Sequence, residues 1–224
     1  MTISGSGAII DEEPSYSQPT GYKDGFGCVD LGLPSGLLWA YNNVGANNPE
    51  DYGNYYAWGE TETKDTYDWS TYRYCNGRDS TLTKYCSYEN YGNEGFTDSL
   101  TILEAVDDAA IVNWGNNWRM PTHTELLELV DNCDTTWTSI NGINGMLFTS
   151  YSNGNSIFLP AAGYRFDSSL GNASSHGYYW SSLLYTDDPN YARDLNFYSG
   201  IYRMHLSYRN YGQSVRPVCV SAQN

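Results

Sequence analysis

The sequence predicts an α+β domain: two helices, a small twisted antiparallel sheet and long irregular loops. Three observations predict it. A capping box opens an apolar helix after Pro121, short extended runs separated by turn residues fill the C-terminal third, and Tyr41 to Tyr91 is dominated by Asn, Gly, Tyr, Asp and Thr without a sustained period. With 224 residues, 16% aromatic and 17% charged, and 22 glycines against 8 prolines, the chain has ample material for one loop-rich folded domain.

Residues 1–24 mix Gly, Ser, Pro and acids and read as an N-terminal arm or linker, with one domain over 25–224. Cys28 to Leu33 alternates weakly, Pro34-Ser35-Gly36 signals a turn, and Leu37-Leu38-Trp39-Ala40 resumes an extended run, so a hairpin is expected there. The irregular stretch that follows needs its own packing, which buried tyrosines with Trp58 and Trp69 can supply. Asp107 or Asp108 is placed to cap a short helix over Ala109 to Val112. Thr122 stands three residues before Glu125, ahead of Leu126, Leu127, Leu129 and Val130, which predicts a helix from about 123 to 132. Asn141-Gly142 and Asn144-Gly145 mark turns, Ser156 to Pro160 reads as a buried strand, and further strands are expected near 178–183, 192–197, 202–206 and 214–220.

A formal net charge of −15 repels phosphate backbones and anionic membranes, so nucleic acid is not an expected partner. No apolar run approaches a membrane span and MTISGSGAII is not an export signal, so neither direct insertion nor export is expected from these residues. The five cysteines form no CxxC pair and the three histidines do not cluster, so neither a zinc site nor another cofactor is expected. Cys75 with Cys86, or Cys28 with Cys219, are the pairings the spacing leaves open.

Taken in order, WGET, NWRMPTHTELLEL, IFLPAAGYR, YYWSS and GQSVRPVCV resemble a bacterial domain family with the C-type lectin fold. More narrowly, they resemble the variable proteins diversified by retroelements, whose relatives include phage receptor-binding proteins of the major tropism determinant type and, more distantly, formylglycine-generating enzymes. The resemblance covers about Gly27 to Val220. It implies a C-type lectin-like fold and display on a phage particle or bacterial surface. It also implies a non-catalytic surface recognising a protein or glycan ligand, with asparagine codons of the AAY form scattered by error-prone copying of adenines.

Such codons reach Tyr, Asp, His, Ser, Ile, Leu, Arg and Gly, among others, but never Lys, Glu, Gln, Met or Trp. From Leu183 to Tyr211 there is no Lys, Glu, Gln or Trp, and Met204 stands alone as a fixed position. The candidate ligand-binding residues are Tyr185, Asp187, Asp188, Tyr191, Asp194, Tyr198, Ile201, Tyr202, Arg203, His205, Leu206, Ser207, Tyr208 and Tyr211. Tyrosine with serine and aspartate is the composition of a paratope, because a rigid ring with a hydroxyl gives contact area at little entropy cost. Leu195, Phe197, Met204 and Gly212 read as interleaved scaffold, and Asn190, Asn196 and Asn210 as unmutated or fixed asparagines.

Asp187 and Asp188 have no matched set of oxygen ligands, the calcium motifs Glu-Pro-Asn and Trp-Asn-Asp are missing, and Asn48-Pro49-Glu50 reads as a turn, so no metal is expected. His123 is expected to be an exposed first-turn residue and His176 to lie in a loop. The cysteine pair of the formylglycine-generating relatives is not matched beyond Cys219, so no catalytic residue is assigned. A surface adhesin or carbohydrate-binding module without a retroelement, and an oxidase, remain as alternative readings. Arg119 is expected to pair with Asp107 or Asp108.

Overall fold

The computed structural model describes residues 16–220; the arm expected over 1–24 lies outside these up to residue 15. From Gly21 the chain is already paired. Strand β1 (Gly21–Lys23) runs antiparallel to β2 (Phe26–Asp30), which pairs in turn with β3 (Leu37–Ala40), the hairpin expected from the sequence.

The long irregular stretch is ordered by aromatic burial. Tyr55, Tyr56, Trp58, Tyr67, Tyr72, Tyr74 and Tyr85 pack into one core with Trp114, Trp118 and Trp180. Their hydroxyls then satisfy loop carbonyls that no ladder reaches: Tyr55 donates to the Ala162 carbonyl at 2.6 Å, Tyr67 to Tyr55 at 2.7 Å and Tyr72 to Trp58 at 2.7 Å.

Both expected helices are present. Helix α1 (Ala109–Trp114) is capped by Asp108, whose carboxylate accepts from the Ala110 and Ile111 amides. Strand β4 (Trp118–Arg119) leads to α2 (His123–Asp131), where the Thr122 hydroxyl accepts from the Glu125 amide at 3.3 Å and the Glu125 carboxylate accepts from the Thr122 amide at 2.8 Å. Arg119 does not pair as expected. It forks onto Glu125 at 2.7 and 2.6 Å, because Asp108 is occupied by α1 and the Met120 amide, and Asp107 by Lys84, Tyr74 and Tyr85. His123 is half-buried rather than exposed, with Nδ1 sealed from solvent.

Strands β5 (Cys133–Ile140) and β6 (Ile143–Ser150) form a hairpin through Asn141-Gly142, both at positive φ as a tight primed turn requires. Asn144-Gly145, expected as a second turn, lies inside β6. A Cβ on Gly145 would stand 2.4 Å from the Leu159 carbonyl and from the Phe158 ring, so this glycine marks a close approach of β7 (Ser156–Pro160), not a reversal. The remaining strands are β8 (Tyr164–Phe166), β9 (Ser169–Gly171), β10 (Gly177–Leu184), β11 (Tyr191–Tyr198), β12 (Ile201–Tyr208) and β13 (Val218–Val220).

These strands build four sheets, ordered β1-β2-β3-β13-β4, β10-β11-β12, β5-β6-β7 and β8-β9. The first curls into a half-barrel, and strand accounts for 39% of the molecule against 10% helix. The expected α+β class with a two-helix C-type lectin arrangement is therefore corrected: the protein is mostly β. The helices are in place but short, six and nine residues, and do not define the layers.

The β10-β11-β12 sheet lies between two cores. Trp180, Leu184 and Ala192 pack into the tyrosine-rich core, whereas Tyr179, Leu195, Phe197 and the partly buried Met204 pack with Trp39, Leu126, Met146 and Phe148. Side-chain alternation thus serves both cores from one sheet. Two buried arginines tie the irregular chain to this framework. Arg216 donates to the Asn43 side chain and to the Ala40, Tyr41 and Phe158 carbonyls, and Arg209 donates to Tyr72 and to the Tyr85, Pro189 and Lys84 carbonyls.

Candidate ligand-binding site

Strands β11 and β12 pair without a bulge from Tyr191↔Tyr208 to Tyr198↔Ile201 and reverse through Ser199-Gly200. That register fixes which side chains share a face. Asp194 stands opposite His205, Asn196 opposite Arg203 and Ala192 opposite Ser207, while Leu195 and Met204 point to the other side.

Twelve of the fourteen candidate residues are exposed or half-exposed; Asp194 and Ser207 are buried. Residues read as fixed lie inward: Asn190, Asn196, Asn210, Leu195 and Phe197 are all buried. Asn196 is held between the Gly177 carbonyl at 3.1 Å and the Arg203 Nε at 3.3 Å.

The structure divides thirteen of the candidates into three groups and sets Asp194 apart. Tyr191, His205, Leu206, Ser207, Tyr208 and Tyr211 line a cleft of about 240 Å³, which Tyr164 and Tyr178 complete. Tyr198, Ile201, Tyr202 and Arg203 occupy the exposed end of the β11–β12 hairpin, with Tyr198 stacked on His176 at 4.8 Å. Tyr185, Asp187 and Asp188 lie in the β10–β11 loop, outside the cleft; the Asp188 carboxylate accepts from the Asn190 amide at 3.0 Å.

Tyr164 and Tyr178 were missed because they precede the variable-looking segment. Tyr164 reaches the cleft through β8, whose Arg165 bridges Gly212, and its ring meets Tyr178 at 5.1 Å and Tyr211 at 5.3 Å. Nothing in the local sequence signals that pairing.

Under the cleft, Asp194 is wholly buried. Its carboxylate accepts from the Ser207 hydroxyl at 3.1 Å and lies 3.3 Å from His205 Nδ1. Burial pushes the Asp194 carboxyl up, against the opposing pull of His205 and Ser207. These three residue types make up a hydrolytic triad elsewhere, but the wiring differs. Ser207 and Asp194 both meet His205 at Nδ1, at 3.4 and 3.3 Å, whereas a relay needs the serine on the opposite nitrogen. The cluster is a buried polar support for β11 and β12.

Cys28 and Cys219, on β2 and β13, come within thiol hydrogen-bonding reach, but both are sealed in the tyrosine-rich core rather than set in a cleft. Burial pushes the Cys219 thiol up to about 12, opposite to the shift of a reactive thiol. Cys75 and Cys86 donate instead to the Trp69 and Tyr88 carbonyls. Among the described residues no three of His, Cys, Asp and Glu group as metal ligands, and no helix is long and apolar enough to cross a membrane.

A family model described as a domain of unknown function (DUF8237) matches residues 132–218, which run from the start of β5 to the start of β13 and contain the β10-β11-β12 sheet. No curated protein and no solved structure matches the chain.

Proposed function

We propose that the protein is a non-catalytic binding protein that meets a protein or glycan ligand through side chains carried between Tyr185 and Tyr211, and that these positions are one member of a repertoire diversified by a retroelement. The observation that carries this reading is the division of one segment into two populations. The candidate positions lie mostly at the surface, while the interleaved Asn190, Leu195, Asn196, Phe197 and Asn210 are buried. Strand pairing holds the backbone while outward side chains vary, so each new surface carries little ordering cost.

Sequencing the surrounding locus tests the diversification. A nearby reverse transcriptase and a template repeat that reads asparagine at Tyr191, Tyr202, Tyr208 and their like, yet matches the gene at Leu195 and Phe197, is the expected result. A locus with neither contradicts it and leaves a surface adhesin without a retroelement. Screening on glycan and cell-surface protein arrays tests the binding itself.

A further inference from the structure

The tyrosine cleft differs from the tyrosine-rich core in what lies over its rings. In and around that core several tyrosine faces are already taken by cations. Lys64 lies over Tyr67 and Tyr72, Lys84 over Tyr74 and Tyr85, Arg165 over Tyr55, Arg193 over Tyr185, and Arg209 over Trp58, Tyr72 and Tyr85, all between 5.1 and 5.8 Å from the ring centroids. Among the described residues, no Lys or Arg lies over Tyr164, Tyr178, Tyr191, Tyr208 or Tyr211. With His205, Leu206 and Ser207 these five rings line an open cleft of about 240 Å³, and they meet one another as stacked and edge-on pairs, from 4.3 Å for Tyr191–Tyr208 to 5.6 Å for Tyr208–Tyr211.

Two features give the cleft its charge preference. Ring faces present negative potential, and a cation is held within about 6 Å of a centroid. The molecule as a whole carries a net charge of −15, which draws cations toward it. Arg203, a neighbouring cation on β12, is bonded to Asn196 and does not line the cleft.

We propose that the cleft is a subsite for a cationic side chain, a lysine ammonium or an arginine guanidinium, of a protein ligand. This rests on the binding function proposed above and names the chemistry of that ligand. Tyr164, Tyr178, Tyr191, Tyr208 and Tyr211 present their rings to the cation.

The test compares Nα-acetyl-arginine methylamide with its uncharged isostere Nα-acetyl-citrulline methylamide, and Nα-acetyl-lysine methylamide with the norleucine analogue, by NMR titration of the tyrosine ring resonances. The charged member of at least one pair is expected to bind roughly tenfold more tightly than its neutral partner. Tyr208→Leu, which keeps apolar volume and removes the ring, should erase that difference. Should Tyr208→Leu fail to fold, the charged-against-neutral comparison on the unaltered protein still decides. Equal affinities within both pairs, or no ring shift with any probe, overturn the assignment, as does choline binding more tightly than all four. If arrays capture a ligand while the charged probes give no advantage, the cation subsite fails and the binding function stands. If arrays capture nothing and the probes also fail, both fail.

Discussion

Tyr191 and Tyr208 stack across the β11–β12 pair with ring centroids 4.3 Å apart and planes 26° from parallel. Both rings are half-exposed and both line the cleft, so the contact joins strand pairing to the proposed ligand surface. Replacing either with alanine should lower stability by about 1 kcal/mol, and the double variant should cost less than the sum, with a coupling of about 0.5–1.5 kcal/mol. Urea unfolding of the four proteins measures it. Strict additivity would mean that the stack holds nothing.

The hairpin end should be free of such coupling. Ile201→Asn and Tyr202→Asn change side chains that are 52% and 39% exposed, and each should leave unfolding free energy within about 0.5 kcal/mol. Asn196→Ala, five residues before Ile201 in the chain, takes a partner from the buried Gly177 carbonyl and from the exposed Arg203 and should cost about 1–3 kcal/mol. Thermal melts of the three variants separate display positions from framework positions.

Arg209 carries the largest expected single effect. It is wholly buried, donates to three carbonyls and to Tyr72, and lies 5.1 Å from the Trp58 ring centroid. Arg209→Ala leaves those carbonyls without donors and opens a cavity, so a loss of about 3 kcal/mol or more is expected in urea. Arg209→Lys should recover little of it, because an ammonium cannot reproduce the planar fork.

The Arg119–Glu125 pair gives a pH signature. Burial pushes the Glu125 carboxyl up, but the bonds from Arg119 and the Thr122 amide outweigh it, leaving the carboxyl below its ordinary value. A carboxyl depressed by folding contributes stability above its unfolded value and loses that contribution as pH falls through the ordinary carboxylate range toward the folded value. Unfolding free energy measured from pH 7 to pH 3 should therefore decline, and Glu125→Gln should make the decline shallower. Arg119→Ala should lower the melting temperature by a few degrees, in keeping with about 1 kcal/mol for a half-exposed forked pair. An unchanged melting temperature would mean that the pair has no structural weight.

Local chemistry made the helices legible. Thr122 with Glu125 and the Asp108 cap are short-range signals, and α1 and α2 start where they place them. The strands between 177 and 208 and the hairpin after Phe26 were legible from alternation, whereas the strand expected over 214–220 is confined to Val218–Val220. Sheet organisation was not, because β13 pairs with both β3 and β4 through contacts remote in sequence, which no periodicity reports. Arg209 shows the same limit within the variable-looking segment. In sequence it resembles Arg193 and Arg203, yet it is buried while they reach the surface. Asp194 and Ser207 fall among outward-looking neighbours but support the cleft from within.

The central claim is that binding and folding are carried by different residues of one segment. The direct measurement takes a variant with asparagine at Tyr185, Tyr191, Tyr198, Ile201, Tyr202, Tyr208 and Tyr211 and compares it with the unaltered protein on glycan and cell-surface protein arrays, alongside melting temperature. The account predicts that array binding is lost while cooperative melting is kept, with no loss beyond that set by the tyrosine stack. Retained binding, or a variant that no longer folds, would contradict it.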